Sequence, residues 1–312
     1  MIPTHYPVLY REVLDYLKPE EGQTIYFDGT LGEGGHAYKM LEQYPNLCLV
    51  GVDADSVMLE RAKERLLPFA NRCTFLNEWN DNVLQNYPQE LLPPHIMLFD
   101  LGISVYHYEK TGRGFSFLRD ERLDMRLDKN QEFDAYAVVN GYSAKALQDI
   151  FSSLAQERYS RRIAQAIVVA RSQKAIESAS ELANIVKMAV PHSEWHKKIH
   201  PATQVFQALR IEVNGELKRL EKMLEVAYRL LSPGGKMGVI TFHSLEDRIV
   251  KNFFNSKHRI NRGATNKYAS LEQRPEASLL FKKGISASEL EIKENPPSRS
   301  ARFRAICKLR EA

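Results

Sequence analysis

The sequence predicts an α/β fold, a mainly parallel, doubly wound sheet interrupted by an all-helical insertion. Three observations predict it. The first hundred residues alternate β-rich and helix-periodic segments. A glycine-rich turn directly follows the first strand, where open α/β sheets bind ligands. After a long helical stretch, KMGVITF (236–242) restores a buried-strand pattern. Taken in order, TIYFD (24–28) is short and β-rich, GGHAYKMLEQY reads helical, and LCLVGVD (47–53) is a second buried strand. DSVMLERAKERLLPF (55–69) sets Val57, Leu59, Ala62, Leu66 and Phe69 at approximate helical spacing, and CTFL (73–76) and HIMLFD (95–100) add two strands. Strands alternating with helices in this way pair in parallel through right-handed crossovers.

Residues 102–130 break the pattern, being rich in glycine, charge and aromatics without a clean period, so a long functional loop is expected there rather than a packed element. Helical spacing returns over 143–155, 158–173 and 178–190, the last opened by Ser178 and Glu181 in capping-box spacing. After Pro191 and Pro201, residues 202–231 read as one long helix or two in series, stopped by SPGG (232–235). SLEDRIVKNFF (244–254) is helical, and LLFKK (279–283) with RFRAICKL (302–309) suggests a closing pair of strands. The expected organisation is one α/β domain from 1–105 and 212–312, interrupted by a helical domain over 106–211.

Composition narrows the class. With 312 residues, 44% hydrophobic and 26% charged, the chain can bury a sizeable core and does not match disordered, collagen-like or coiled-coil usage. No apolar run approaches the ~18 residues a membrane span needs. The N-terminal MIPTHYPVLYREVLDYL is charged where a signal peptide would be apolar, so a cytoplasmic protein without a membrane partner is expected. Cys48, Cys73 and Cys307 are far apart, which suggests neither disulfides nor a thiolate zinc site, and Cys48 and Cys307 read as buried packing residues. From Lys251 onward 14 Lys and Arg face 6 Glu, a local net charge of +8 against −4 for the rest. Such a basic tail suits a polyanion such as nucleic acid, solvated charge being the competing reading. His192, His196 and His200 recur at four-residue spacing, which would align them on one helix face, but no cysteine completes a ligand set, Pro201 is expected to end any helix there and the lysines between them repel a cation, so no metal is expected.

The strongest local signal is Asp28-Gly-Thr-Leu-Gly-Glu-Gly-Gly-His36, between a strand and a helix. Glycines there permit a tight turn and close backbone approach to a ligand. Asp53, at the end of the second strand, adds a carboxylate able to accept both hydroxyls of a ribose. The loop lacks the third glycine of the dinucleotide fingerprint, so a nucleoside without pyrophosphate fits better, and S-adenosylmethionine is the expected cofactor; a purely structural turn is the alternative. Asp100-Leu-Gly and His243-Ser-Leu-Glu-Asp-Arg248 lie at the ends of two further strands and face the same crevice in such a sheet. Ser244 with Asp247 is also a plausible helix cap, and Asp247 with Arg248 a surface ion pair.

Several strings occur together in order: HYPVLYREVL (5–14), DGTLGEGGH (28–36), RGFSF (113–117), LDMRLD (123–128), HPATQVFQALRIEVNGEL (200–217), FHSLEDRIVK (242–251) and NPPSRSARFR (295–304). The chain thereby resembles the bacterial ribosomal RNA small-subunit methyltransferase H family, also called MraW. The resemblance implies a class I S-adenosylmethionine-dependent, Rossmann-like methyltransferase with an inserted helical domain. It implies methylation of the exocyclic N4 of a cytidine in the decoding region of 16S ribosomal RNA, with the RNA expected within the small ribosomal subunit; a homodimer stays open. It carries cofactor positions onto Gly34, Gly35, His36, Asp53 and Asp100. His107 stands where the family has a cofactor-contacting glutamine, and Trp79 is the aromatic nearest the position where the family has a phenylalanine after the third strand.

The chemistry of that reaction selects residues further. The lone pair of the cytosine amine is delocalised into the ring, so the amine needs a hydrogen-bond acceptor that localises the pair more than it needs a strong base. Asp100 is the first candidate acceptor, followed by His243 and by Asp124, which is equally suited to a structural pair with Arg126. Arg158, Arg161 and Arg162, the Trp195–His200 segment, and Arg299, Arg302 and Arg304 are candidate phosphate contacts, with Tyr106, Tyr108 and Phe115 available to stack bases. Two other readings stay open: a transferase acting on another base or a protein amine, and a ribosome-assembly factor with a vestigial cofactor pocket.

Overall fold

The computed structural model describes residues 6–197, 199–258 and 275–310. Its elements in chain order are α1 Tyr10–Tyr16, β1 Ile25–Asp28, α2 Gly35–Gln43, β2 Cys48–Asp53, α3 Ser56–Arg65, β3 Cys73–Asn77, α4 Asn80–Gln85 and β4 Ile96–Asp100. There follow α5 Val105–Glu109, α6 Ala135–Gly141, α7 Ala144–Ala155, α8 Ser160–Gln173, α9 Ala179–Ala189, α10 Ala202–Asn214 and α11 Glu216–Leu230. The chain closes with β5 Lys236–Thr241, α12 Ser244–His258, β6 Ala277–Leu279, β7 Ile285–Ser286, α13 Glu289–Glu294 and β8 Arg302–Lys308. Two compact units divide it, 1–102 with 218–312, and 103–217.

The first unit is a Rossmann-like sheet of order β3-β2-β1-β4-β5-β8-β6, with β7 also paired to β8. Strands β1 to β5 run parallel, and β8 lies antiparallel to β5, β6 and β7. Apolar runs such as Ile96–Phe99 are buried throughout because both sheet faces are covered. One face packs Tyr26, Leu49, Leu98 and Ile240 against Met40 and Leu59; the other packs Phe27, Val50, Phe99 and Val239 against Leu224 and Phe254. The strand order reverses at β1, whose neighbours are β2 and β4, so a ligand crevice is expected at the carboxyl ends of these strands.

The second unit packs Leu147, Phe151, Ile163, Ile167, Leu182, Val186, Val205 and Leu209 of α7 to α10 into its own core. Of the two readings for 202–231, two helices in series is correct: Gly215 takes a left-handed φ of 61° and caps α10.

Four expectations change. Residues 102–130 carry the short helix α5 and are otherwise irregular yet packed, with Phe115, Leu123 and Met125 buried. Their backbone is satisfied by scattered main-chain bonds, such as Met125 to the Arg113 carbonyl and Leu123 to that of Glu177, and by side chains: Arg113 donates to the carbonyls of Arg126 and Leu127, and Asn214 donates to Met125 and accepts from Leu127. Cys48 is exposed and Cys307 half-buried, because Cys48 opens β2 ahead of its buried residues and Cys307 falls at an alternate position of β8. The strand expected at 279–283 is instead Ala277–Leu279, with residues 280–283 in bends and turns before β7. His192 belongs to a short 3-10 turn and His200 stacks on Phe117, while Pro201 begins α10 rather than ending a helix, so the three histidines do not share a helical face. No described helix is long and apolar enough to cross a membrane.

Candidate functional site

The glycine loop is stitched to both strands beside it. Gly29 donates to the Leu98 carbonyl of β4 and Leu31 to the Val52 carbonyl of β2, each at 2.9 Å. Glu33 is held by Arg61 at 3.0 Å, which ties the loop to α3. Gly34 has φ 74°, and a Cβ there would lie 3.2 Å from Leu66 and 3.3 Å from Ala62, so glycine is required both by the turn and by the close approach of α3. No side chain caps α2, which leaves its first-turn amides, at Gly35 and His36, available to a ligand.

Asp53 fixes the loop as well as facing it. Its Oδ2 accepts from the amide of Gly32 at 2.7 Å and its Oδ1 from that of Asp55 at 2.8 Å. A carboxylate offers about four acceptor sites, so the same group can also receive sugar hydroxyls. Asn77 donates to the Asp53 carbonyl at 2.9 Å, and Asn80 to that of Gly29 at 2.9 Å. These bonds hold the turn carrying Trp79 against both cofactor strands.

The strand ends converge on a buried polar cluster. Tyr26 donates to Asp28 Oδ2 at 2.9 Å, and Thr30 N to Asp28 Oδ1 at 3.3 Å. The Thr30 hydroxyl accepts the Asp100 amide at 2.6 Å, and Asp100 Oδ2 lies 3.5 Å from His36 Nε2. Asp100 Oδ1 and both ring nitrogens of His36 are buried without a hydrogen-bond partner. Unpaired buried polar atoms are costly. Their convergence beside a glycine loop and an uncapped helix start fits a polar, partly cationic ligand. Asp28, Thr30 and Glu33 were not singled out by the sequence, although Asp28 heads the glycine string and closes β1.

Burial pushes the Asp28 carboxyl up to about 6, with the charge of His36 and the Tyr26 hydroxyl working against it. A folded-state value above the unfolded one means that the native state holds this proton more tightly, so stability is lost as pH rises from about 3.8 to about 6. Asp28→Asn is blind to this. The stability of the native protein relative to that variant should therefore fall by roughly 3 kcal/mol between pH 3.5 and 7. Urea unfolding of both proteins across that range checks it, and a constant difference would show that Asp28 titrates normally.

His243 follows β5, whose Ile240 pairs with Asp100. Its Nδ1 accepts the Glu246 amide at 3.4 Å, and Glu246 Oε2 returns to the amides of Phe242 at 2.8 Å and His243 at 3.3 Å. This is a reciprocal cap of α12. The cap is therefore His243 with Glu246, not Ser244 with Asp247. Because Nδ1 accepts, a neutral ring carries its hydrogen on Nε2, which is 3.0 Å from Glu246 Oε1. Asp247 does not pair with Arg248 but takes Arg304 through two bonds of 2.7 and 3.0 Å. The Arg304 fork is thus committed to the fold, whereas Arg299 and Arg302 are exposed.

His107 and Asp124 belong to the second unit. His107 is buried on α5 with its ring edge-on to Phe115 at 5.5 Å. Asp124 binds Arg126 through two bonds of 2.8 and 2.7 Å and also accepts the Arg126 amide, and these bonds hold its carboxyl below the usual range against the opposing effect of burial. Phe115 is buried, so it does not offer a face for base stacking; Tyr108 is exposed. Arg158, Arg161 and Arg162 are exposed around the start of α8. Lys198, His5 of the first family string, and residues 259–274 of the basic tail lie outside the described residues.

Residues 3–309 match the model of the MraW methylase family. The chain belongs to the MraW methylase family. Among its relatives, the ribosomal RNA small subunit methyltransferase H of Treponema denticola is 50% identical over 99% of this chain and 98% of its own. Proteins of the same name from Borreliella afzelii and Persephonella marina are 44% and 42% identical over 98% and 96% of this chain, covering 98% and 97% of theirs. As a MraW methylase the chain takes S-adenosylmethionine as its methyl donor. The residues present suit that group: Asp53 for a ribose, the glycine loop and α2 amides for a carboxylate, and beside them Asp100 Oδ1 and the His36 ring nitrogens, buried without a hydrogen bond among the described residues.

Proposed function

We propose that this chain methylates the N4 amine of a cytidine in the decoding region of 16S ribosomal RNA, with the RNA presented within the small subunit. Support for an RNA substrate comes from the likeness to ribosomal RNA small subunit methyltransferases along nearly the whole chain. The observation that carries the chemistry is Asp100: a buried carboxylate oxygen without a partner, at the end of the strand beside the glycine loop. The bound cofactor supplies a methyl group already activated on a sulfonium. Asp100 accepts an N–H of the amine and so restores lone-pair character to its nitrogen. Thr30 holds the Asp100 backbone, and His36 keeps the carboxylate turned inward. His243 orients the base or relays the released proton. In this reading Gly34, Gly35, His36 and Asp53 grip the cofactor with Trp79, and Asp124 orders the loop of the helical domain through Arg126.

Nucleoside mass mapping of 16S ribosomal RNA from cells with and without the gene tests the reading. Loss of one N4-methylated cytidine, restored by the native gene and not by Asp100→Asn, is the expected result. An unchanged methylation map refutes it.

The exposed arginines supply the electrostatic part of RNA binding. Replacing Arg299 and Arg302 together should reduce the slope of log affinity against log salt by roughly 1.4 to 1.8, as two fewer phosphates are neutralised. Arg304→Ala should instead lower thermal stability, because it leaves Asp247 without its partner. An unaltered salt slope in the double variant assigns both arginines to solubility.

A further inference from the structure

Trp79 carries a guanidinium on its ring. The Cζ of Arg219 lies 4.1 Å from the indole centroid, a stacking distance. The same guanidinium binds Asp81 at 2.8 Å, and Asp81 is buried at the start of α4, two residues beyond Trp79. Lys222, one turn along α11 from Arg219, reaches the second oxygen of Asp81 at 3.1 Å. A buried carboxylate held by two cations from one helix face is a rigid anchor. Arg219 therefore has little freedom to leave the ring. The backbone turn carrying Trp79 is pinned in the same way, by Asn77 to Asp53 and by Asn80 to the glycine loop.

We propose that Arg219, locked by Asp81, positions the Trp79 ring as the wall on which the adenine of the cofactor stacks. The inference rests on the cofactor assignment above. One face of the indole is occupied by the cation, which fixes the plane of the ring and draws π density away from the other face, where the electron-rich base stacks. Arg219 acts through Trp79 and is a positioning residue. Lysine cannot replace it, because an ammonium keeps the ion pair with Asp81 but lacks the planar group that covers the ring.

The chain has two tryptophans, so Trp195→Phe leaves Trp79 as the single emitter. Titrating that variant with S-adenosylhomocysteine should change Trp79 emission and saturate at the Kd that calorimetry gives. Adding Arg219→Met or Arg219→Lys should raise that Kd about tenfold. In both, Lys222 still neutralises Asp81, so the fold is retained. Calorimetric binding with unchanged emission overturns the proposal, as does native affinity in Arg219→Lys, which would reduce the role to the ion pair. Absence of any binding to the otherwise native protein would instead refute the cofactor assignment on which the proposal stands.

Discussion

Asp100→Asn should keep the fold and bind cofactor yet lose methyl transfer by about 10²- to 10³-fold, the loss expected when one preorganised group at the reacting centre is removed. Its backbone role survives, since the Thr30 hydroxyl accepts the main-chain amide of residue 100 whatever the side chain. What changes is the acceptor. An asparagine offers one oxygen and an intrusive NH2 donor where the carboxylate offers two oxygens with charge. Beside the buried His36 ring, 3.5 Å from Oδ2, that donor also competes for the inward orientation. Single-turnover transfer with cofactor and RNA both saturating isolates the chemical step. A native rate in Asp100→Asn would remove Asp100 from the chemistry.

His243→Ala should cost less in the same assay. The ring caps α12 and packs against Glu246, so much of its role is structural, and loss of a cap is worth about 1 kcal/mol of stability. If His243→Ala is dead while Asp100→Asn is active, the two roles are reversed.

The parallel strands were legible because each is a short, largely apolar run, and β1, β2 and β4 each close on an aspartate, a pattern that survives without tertiary information. Asp53 and Asp100 were legible for the same reason: each is a charged residue closing a buried strand. The loop over 102–130 was not. Its order comes from Arg113 and Asn214, residues distant in sequence from the carbonyls they satisfy, and no local period records such bonds. Glu246 was hidden by its neighbours in HSLED, where Ser244 is the stronger cap by type and His243 the one used. Arg219 carried no signal, because a cation on an amphipathic helix reads as solvated until Trp79 and Asp81 are seen beneath it.

Asp53→Ala should weaken S-adenosylhomocysteine binding by ~1.5 to 3 kcal/mol, about 10- to 150-fold in Kd, the range for losing hydrogen bonds to a charged group. Two causes contribute to that number. Asp53 holds the amides of Gly32 and Asp55, so its loss frees the glycine loop even without a ligand. A direct contact to the sugar would add to this. A double cycle separates them: native and Asp53→Ala proteins are each titrated with S-adenosylhomocysteine and with its 2′-deoxy analogue. If the carboxylate binds the ribose, the native protein loses affinity for the analogue while the variant, with no partner for the hydroxyl, loses little more. If Asp53 serves only as the loop's anchor, the two losses add, and the ribose contact is refuted even though affinity falls.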